Sequence, residues 1–181
     1  MLFDSGVQME AKPFSVGVRI EHPQSVIDLA QYGVEPNDEE GRLGAASYKL
    51  SYHSSSGRGV YTFCMCPGGY VVNASSEENR LAVNGMSYSG RNGKNANSAV
   101  IVTVSPEDFP EKGILGGLAF QRQLEEAAFA EGQGKIPVQL FGDFKKNVVS
   151  KEFGNVRPQT KGETAFANVR EILPGEVADS I

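Results

Sequence analysis

Apolar and polar residues alternate strictly over residues 13–21, where Phe14, Val16, Val18 and Ile20 fall on one face. Alternation with a period of two predicts a strand that buries one face. By contrast, residues 100–104 are an unbroken β-branched run. Such a run predicts a strand covered on both faces, which therefore lies centrally in its sheet.

Further strands are predicted in pairs. Residues 48–53 and 60–66 flank a flexible Ser/Gly turn, and residues 70–73 and 80–83 repeat the arrangement across a polar connection. This spacing is typical of a β-meander. Residues 34–44, which carry three consecutive acids, are most simply a solvated loop.

The clearest helix is predicted over residues 116–132, where Phe120, Leu124 and Ala128 recur at the spacing of one helical face. A shorter helix is predicted directly after His22-Pro23. Ser105-Pro106 resembles a helix start. Residues 136–147 combine a short extended piece with a short helix, and residues 151–161 resemble a linker.

These elements predict an α+β fold, with a mixed or barrel-like sheet and a few covering helices. Both ends of the chain resemble interrupted helices, the first ending at Gly6 and the last broken by Pro174-Gly175. Two interpretations remain open: an excised piece of a longer protein, or frayed ends of a complete domain.

Length, charge and composition reduce the number of functional classes to which the chain can belong. The chain has 181 residues, enough for one domain with a conventional core, and a net charge of −5, which argues against general nucleic-acid binding. It lacks a signal pattern and an apolar run of about 18 residues, so we expect a cytoplasmic protein that does not cross a membrane. Two cysteines and two distant histidines form neither a disulfide framework nor a zinc spacing, so no metal is expected.

Glycine is unusually frequent: 21 of the 181 residues are glycine, a clearly larger share than the usual ~7%. Neither Gly57-Arg58-Gly59 nor Gly132-Gln133-Gly134 continues to the third glycine of a dinucleotide fingerprint, and no P-loop is present. The chain therefore carries no nucleotide-binding motif of its own.

The string Cys64-Met65-Cys66-Pro67-Gly68-Gly69 is the first chemical candidate. In a regular strand the two thiols would point to one face with Cα atoms about 6.6 Å apart, at the upper limit for a disulfide. The Pro-Gly-Gly turn would expose bare backbone to a planar ligand. The alternative is two buried cysteines that act as small hydrophobes.

Residues 84–98 form the second candidate, rich in asparagine, glycine and serine, with Arg91 and Lys94 and no acid. Such a loop offers N–H donors and positive charge to an anion or a polar cofactor. A long hairpin loop with two Asn-Gly turns explains the same composition. The third candidate, Arg19 beside Glu21 and His22, fits an ordinary surface ion pair as well as a binding role.

Several strings resemble, in order, a family of large bacterial FAD-dependent dehydrogenases: Lys12 to Pro23, Leu43-Gly44-Ala45-Ala46, Phe63 to Val72, Asn84 to Ser87 and Asn95 to Ala99. Cys-Met-Cys-Pro-Gly-Gly is the most specific of them. The resemblance covers roughly residues 1–165 and implies an inserted, substrate-side domain that covers the flavin, with residues 166–181 as the start of a truncated helical segment. The FAD-binding segments of that family are missing from this sequence.

The resemblance implies FAD in the full-length protein, none bound by this chain alone, and two partners: the remaining FAD-binding domain and a small-molecule substrate. The expected catalytic residues are Cys64 and Cys66. The expected cofactor contacts are Pro67, Gly68, Gly69, Asn84, Gly85, Met86, Asn95 and Asn97, and the expected substrate contacts are Arg19 and Arg91. Two alternatives remain: a free-standing, non-catalytic module for a small anion, and a structural lid with inert cysteines.

Overall fold

The β-branched run predicted to be central lies at the middle of the main sheet. The computed structural model describes residues 2–33 and 43–181. The main sheet has the order β1-β6-β3-β2, with every pair antiparallel. Its strands are β1 (Phe14–Pro23), β2 (Ser51–His53), β3 (Gly59–Cys66) and β6 (Asn95–Val104).

One face of this sheet forms the core. Val102 of β6 pairs with Val16 of β1 and with Val60 of β3, so branched side chains from three strands lie side by side. Val102 and Val60 are fully buried. Aromatic and aliphatic residues from the helices and connections complete this core: Phe109, Phe120, Phe144, Leu173, Val177 and Ala178.

The remaining strands form two smaller sheets. β4 (Tyr70–Asn73) lies between antiparallel β5 (Val83–Met86) and parallel β8 (Thr160–Lys161). β7 (Ile136–Val138) pairs in parallel with β9 (Thr164–Phe166). The α+β class is confirmed, and the sheets are open rather than closed into a barrel. The single meander is wrong, because the chain leaves the main sheet after β3 and β4 joins a different sheet.

The helices are α1 (Gln24–Tyr32), α2 (Gly116–Glu131), α3 (Phe141–Lys146), α4 (Val169–Ile172) and α5 (Gly175–Ser180). The two helices predicted after Pro23 and over residues 116–132 are confirmed. In the described part of the chain, no helix is long and apolar enough to cross a membrane.

Two local predictions need correction. Ser105-Pro106 begins a turn and not a helix, because the Asp108 carboxylate accepts the Ser105 N–H at 2.8 Å and Pro110 offers no N–H to continue a helix. Residues 84–98 are not one loop: the segment starts in β5 and ends in β6, which leaves residues 87–94 as the connection.

The loop predicted over residues 34–44 falls largely on residues 34–42, which lie outside the described residues. At the C-terminal end, Pro174-Gly175 separates α4 from α5, as the sequence indicates. Leu173 and Val177 of this end pack into the core, while the boundary at residue 165 stays a prediction.

Candidate functional site

Arg19 lies where the main sheet meets the sheet of β4 and β5. Its Nη1 donates to the Cys64 carbonyl oxygen at 3.1 Å and to Asn97 Oδ1, and its Nη2 approaches Asn84 Oδ1 at 3.4 Å. All of these acceptors are neutral. We call Arg19, Cys64, Cys66, Asn84 and Asn97 the Arg19 cluster. Within the described residues the guanidinium contacts no carboxylate, so a surface ion pair with Glu21 is wrong.

Glu21 has other partners. One carboxylate oxygen accepts the Gln159 backbone N–H at 2.8 Å and Asn95 Nδ2 at 3.3 Å. Burial raises the pKa of the Glu21 carboxyl, and these two hydrogen bonds oppose that shift. Asn95 also donates to the Arg157 carbonyl at 2.9 Å. The amide group of Asn95 therefore ties two chain segments together within the domain.

Asn97 is the most buried member of the Arg19 cluster, with 0% of its surface exposed. A guanidinium carries only N–H donors, so the amide atom that faces Arg19 is the oxygen and the nitrogen points away. That nitrogen has no hydrogen-bond partner among the described residues. A buried donor without an acceptor costs about 1–3 kcal/mol. The Arg19 cluster thus holds one unsatisfied donor beside a positive charge.

Gly85 allows β5 to approach this cluster. A Cβ at this position would overlap Arg19 Nη1 and Asn97 Oδ1. Any side chain here would push the guanidinium away from its acceptors. The glycine is therefore needed for the close contact between the two sheets. A cofactor contact at Gly85 stays a prediction.

The two cysteines do not sit in a regular strand. The register between β3 and β6 shifts between Phe63 and Cys66, which marks a β-bulge, and Cys64 has a positive φ of 45°. The thiols therefore do not follow the predicted one-face spacing. Cys64 is exposed, which makes the alternative of two buried cysteines wrong. Cys66 donates to the Cys64 carbonyl at 3.3 Å, and its Sγ lies 3.9 Å from Arg19 Nη1.

The Pro67-Gly68-Gly69 turn is buried. The Gly68 N–H donates to Gln24 Oε1 at 2.7 Å, and the turn carbonyls accept from the Ser87 hydroxyl, the Gly93 N–H and the Gln159 amide. The expectation that this turn leaves its backbone bare is wrong, because protein groups already bind it. A cofactor contact at these three residues stays a prediction.

Arg91 is exposed in the connection from β5 to β6, with a left-handed φ of 47°. Its N–H donates to the Tyr88 carbonyl, and its own carbonyl packs against Gly68. The structure does not bring Arg91 into the Arg19 cluster. Met86 lies in β5, where its carbonyl packs against Gly69.

His22 and Tyr48 form a pair that the sequence does not reveal. His22 Nε2 and the Tyr48 hydroxyl are 2.7 Å apart. Burial lowers the pKa of His22 and raises that of Tyr48, although a hydrogen bond to Ser98 and the charge of Arg19 oppose the Tyr48 shift. His22 is therefore neutral at pH 7. Nothing in the local sequence marks Tyr48, 26 residues away, as its partner.

A cavity of about 450 Å³ runs beside β1. Six consecutive residues of the strand, 16–21, line it. We call this cavity the edge trough. Its other walls are mainly apolar and come from eight elements and their connections, including Val71, Val83, Leu124, Ala128, Val138, Phe144 and Ile172. No sequence pattern predicts it, because its walls are assembled from segments far apart in the chain.

Comparison with known proteins identifies the family. Residues 13–181 match the family model described as "FAD-dependent protein, C-terminal domain-like", and the chain belongs to this family. An uncharacterized protein of Clostridium beijerinckii (strain ATCC 51743 / NCIMB 8052) is 51% identical over 184 residues, which cover 100% of this chain and 34% of the relative. The chain thus spans about a third of the length of that relative.

The family supports FAD association in the full-length protein, so we asked whether this chain fits the dinucleotide. A pyrophosphate needs glycines that open a helix N-terminus. The glycines that open α2 serve packing: a Cβ on Gly116 would overlap the Glu111 carbonyl, and one on Gly117 would lie 3.2 Å from the Phe14 ring. The described residues therefore offer polar contacts at the Arg19 cluster but no fitting seat for the dinucleotide.

Proposed function

We propose that this chain forms the substrate-facing wall of a larger FAD-dependent oxidoreductase, a dehydrogenase, and that the chain alone binds no FAD and has no activity. The observation that carries the proposal is the Arg19 cluster. It places a half-buried cation, without a carboxylate partner among residues 2–33 and 43–181, beside an exposed thiol. The chain belongs to an FAD-dependent family, and those same residues contain no seat for the dinucleotide. The flavin, held by the rest of the protein, supplies the electron transfer.

In this proposal Arg19 holds an anionic group of the substrate. A guanidinium has five N–H donors, and the described contacts leave its Nε and one Nη2 hydrogen free. Asn97 keeps the guanidinium oriented through its Oδ1. Cys64 and Cys66 act as redox partners or as a polar wall. Arg91 and the remaining asparagines are secondary candidates, and the cytoplasmic location is also part of the proposal.

The test uses the full-length protein and benzoate as a small carboxylate probe. Benzoate should perturb the flavin absorbance spectrum of the wild type, and Arg19→Met should weaken this response at least ~10-fold, since one charge-assisted bidentate contact is lost. Arg122→Met is the matched control, because Arg122 is exposed and pairs with Glu77 away from the cluster. Equal benzoate affinity in all three proteins would remove Arg19 from the substrate site.

A second experiment concerns the thiols. The double variant Cys64→Ser, Cys66→Ser of the full-length protein should change the flavin spectrum or its turnover. An unchanged spectrum together with unchanged turnover would exclude the thiols from the mechanism while leaving the role of Arg19 intact.

The unbalanced charge of Arg19 also favours a second candidate, a non-catalytic module for a small anion. Calorimetric titration of the 181-residue chain separates the two. Weak or absent binding of both FAD and benzoate supports the oxidoreductase wall. Tight, saturable binding of benzoate or phosphate by the chain alone supports the module.

A further inference from the structure

The open edge of β1 lies along the edge trough. β1 is the first strand of the main sheet and pairs only with β6 in the described part of the chain. The pairing covers all ten residues of β1 without a register shift. A long, regular and unpaired edge is a template for a further strand.

The lining of the trough shows which part of β1 faces it. Side chains of a strand alternate between the two faces, so a cavity over one face would be lined by every second residue. Residues 16–21 all line the trough. Six consecutive lining residues, on a strand whose one edge has no partner, indicate that the cavity reaches the backbone edge of β1.

That edge carries polar groups in apolar surroundings. In an antiparallel pair, the N–H and C=O groups of alternate residues point away from the partner strand. No other backbone group of the described residues bonds to this edge. Most facing residues, such as Leu124, Ala128 and Phe144, are apolar. The polar side chains of Gln121, Glu125 and Gln139 also line the trough, but their hydrogen bonds go to one another or to groups outside β1. These half-buried backbone groups have no protein partner among the described residues, so the trough favours a ligand with its own row of amides.

We infer that the edge trough binds an extended segment from the rest of the full-length protein, which adds to the main sheet as a strand beside β1. About two-thirds of the Clostridium relative lies outside the part that this chain matches. The full-length protein would therefore contain further segments, covalently linked to this domain, that could supply the strand. The segment should be about six residues long, free of proline, with apolar side chains toward the trough walls. This inference does not depend on the proposed oxidoreductase role.

The walls of the trough argue against a second copy of the chain. Residues of α2, α3, α4, β7 and β9 line the trough beside the β1 edge, which leaves less room for a second folded sheet than for a single strand. All ten residues of β1 are only half-buried, although Phe14, Val16 and Val18 pack against the core. An added strand would complete their burial.

Hydrogen–deuterium exchange tests the inference. Amides of residues 15–22 should be compared between the 181-residue chain and the full-length protein. The outward-facing half should exchange at least ~100-fold more slowly in the full-length protein, as expected for newly paired strand amides. The half bonded to β6 serves as an internal control and should change much less. Equal exchange of the outward amides in the two proteins would overturn the inference.

Two variants of the full-length protein sharpen the result. Leu140→Glu places a carboxylate at the rim of the trough, where Leu140 is 36% exposed, and should reduce the added protection at least ~10-fold. Leu29→Glu is the control, since Leu29 is 54% exposed on α1 and does not line the trough. Equal effects of the two variants would contradict a docked strand.

Two further outcomes would also overturn it. Protection that appears only when FAD is added to flavin-free full-length protein would make the trough a ligand site. Protection that rises with the concentration of the 181-residue chain would make it a contact between copies.

Discussion

Two half-buried arginines of this domain have opposite surroundings. Arg58 binds the Asp108 carboxylate through two nitrogens, at 2.6 and 2.9 Å, and Glu176 at 2.6 Å. These contacts hold the pKa of the Asp108 carboxyl well below its usual range and raise the pKa of Arg58. Arg19 is held instead by a carbonyl and two amide oxygens.

The different acceptors give Arg58 a structural role and make Arg19 a candidate for binding a ligand. Arg58 joins the β2–β3 hairpin, the turn at Asp108 and helix α5, and its charge is fully balanced. The acceptors of Arg19 fix its position equally well but leave its positive charge unbalanced. A half-buried charge of this kind can attract an anion, and no carboxylate in the described part of the chain pairs with it.

The largest expected effect comes from Asn97→Ala. The change removes a fully buried side chain and leaves an Arg19 N–H without its acceptor, whereas the removal of the unpaired Asn97 Nδ2 recovers part of this loss, so the free energy of unfolding should fall by about 2–3 kcal/mol. Urea denaturation of the 181-residue chain measures it.

Asn97→Asp is the matched variant, because it keeps an acceptor for Arg19 and gives this arginine a carboxylate, as Arg58 has. It should retain most of the stability and abolish the benzoate response of the full-length protein. If Asn97→Asp loses as much stability as Asn97→Ala, Arg19 cannot be paired with a carboxylate in the way that Arg58 is, and the comparison of the two arginines fails.

Next in size is Arg58→Ala, which should lower the free energy of unfolding by about 2 kcal/mol at pH 7, since a bidentate pair at half-buried side chains is lost. The folded-state pKa of Asp108 is depressed, so this stabilisation is present above the usual carboxyl pKa and is lost as pH falls through the folded value. Denaturation curves at pH 7 and pH 3 should therefore show a smaller difference between wild type and variant at the lower pH. A constant difference would contradict the ion pair as its source.

A smaller effect is expected from His22, which lies three residues from Arg19. Its folded-state pKa is lowered, so the unfolded chain takes up a proton first as pH falls below 6.5. Stability should decline there by at most about 1.4 kcal/mol per pH unit, the slope for one proton. His22→Gln keeps a hydrogen-bonding group for Tyr48 and should remove this slope. An unchanged slope in the variant would assign the decline to other groups.

The smallest effect on the fold is expected from thiol labelling. Cys64 is exposed, whereas Cys66 is half-buried beside Arg19. One equivalent of a thiol reagent should react with the native chain, and a second should follow at least ~10-fold more slowly or after denaturation. Mass spectrometry of the labelled peptides identifies the site. Fast reaction of two equivalents, or of none, would contradict the exposed position of Cys64 and the half-buried position of Cys66.

The sequence predicts the elements of this domain better than their assembly. The alternation at residues 13–21 and the β-branched run at residues 100–104 specify β1 and β6, since local period and burial agree there. The single meander fails because strand pairing between β4 and β8 joins segments almost 90 residues apart. No local pattern encodes such a contact.

For the candidate site, too, the sequence predicts the residues better than their spatial arrangement. Arg19, Asn84, Asn97 and the cysteines were each expected, and the structure brings them together. The bulge at Cys64 was not, because a bulge depends on the register against the partner strand. The pair of His22 with Tyr48 and the edge trough also arise only from long-range packing.

The parallel pairing of β4 with β8 has a consequence for how the domain forms. Val71 pairs with Thr160, and Glu21 accepts a hydrogen bond from Gln159, so the second sheet is complete only once residues 159–161 have been synthesised. Contacts between such distant segments slow folding because a large loop must be closed first. Until β8 pairs, one edge of β4 lacks a partner strand, and an unpaired edge of this kind favours aggregation.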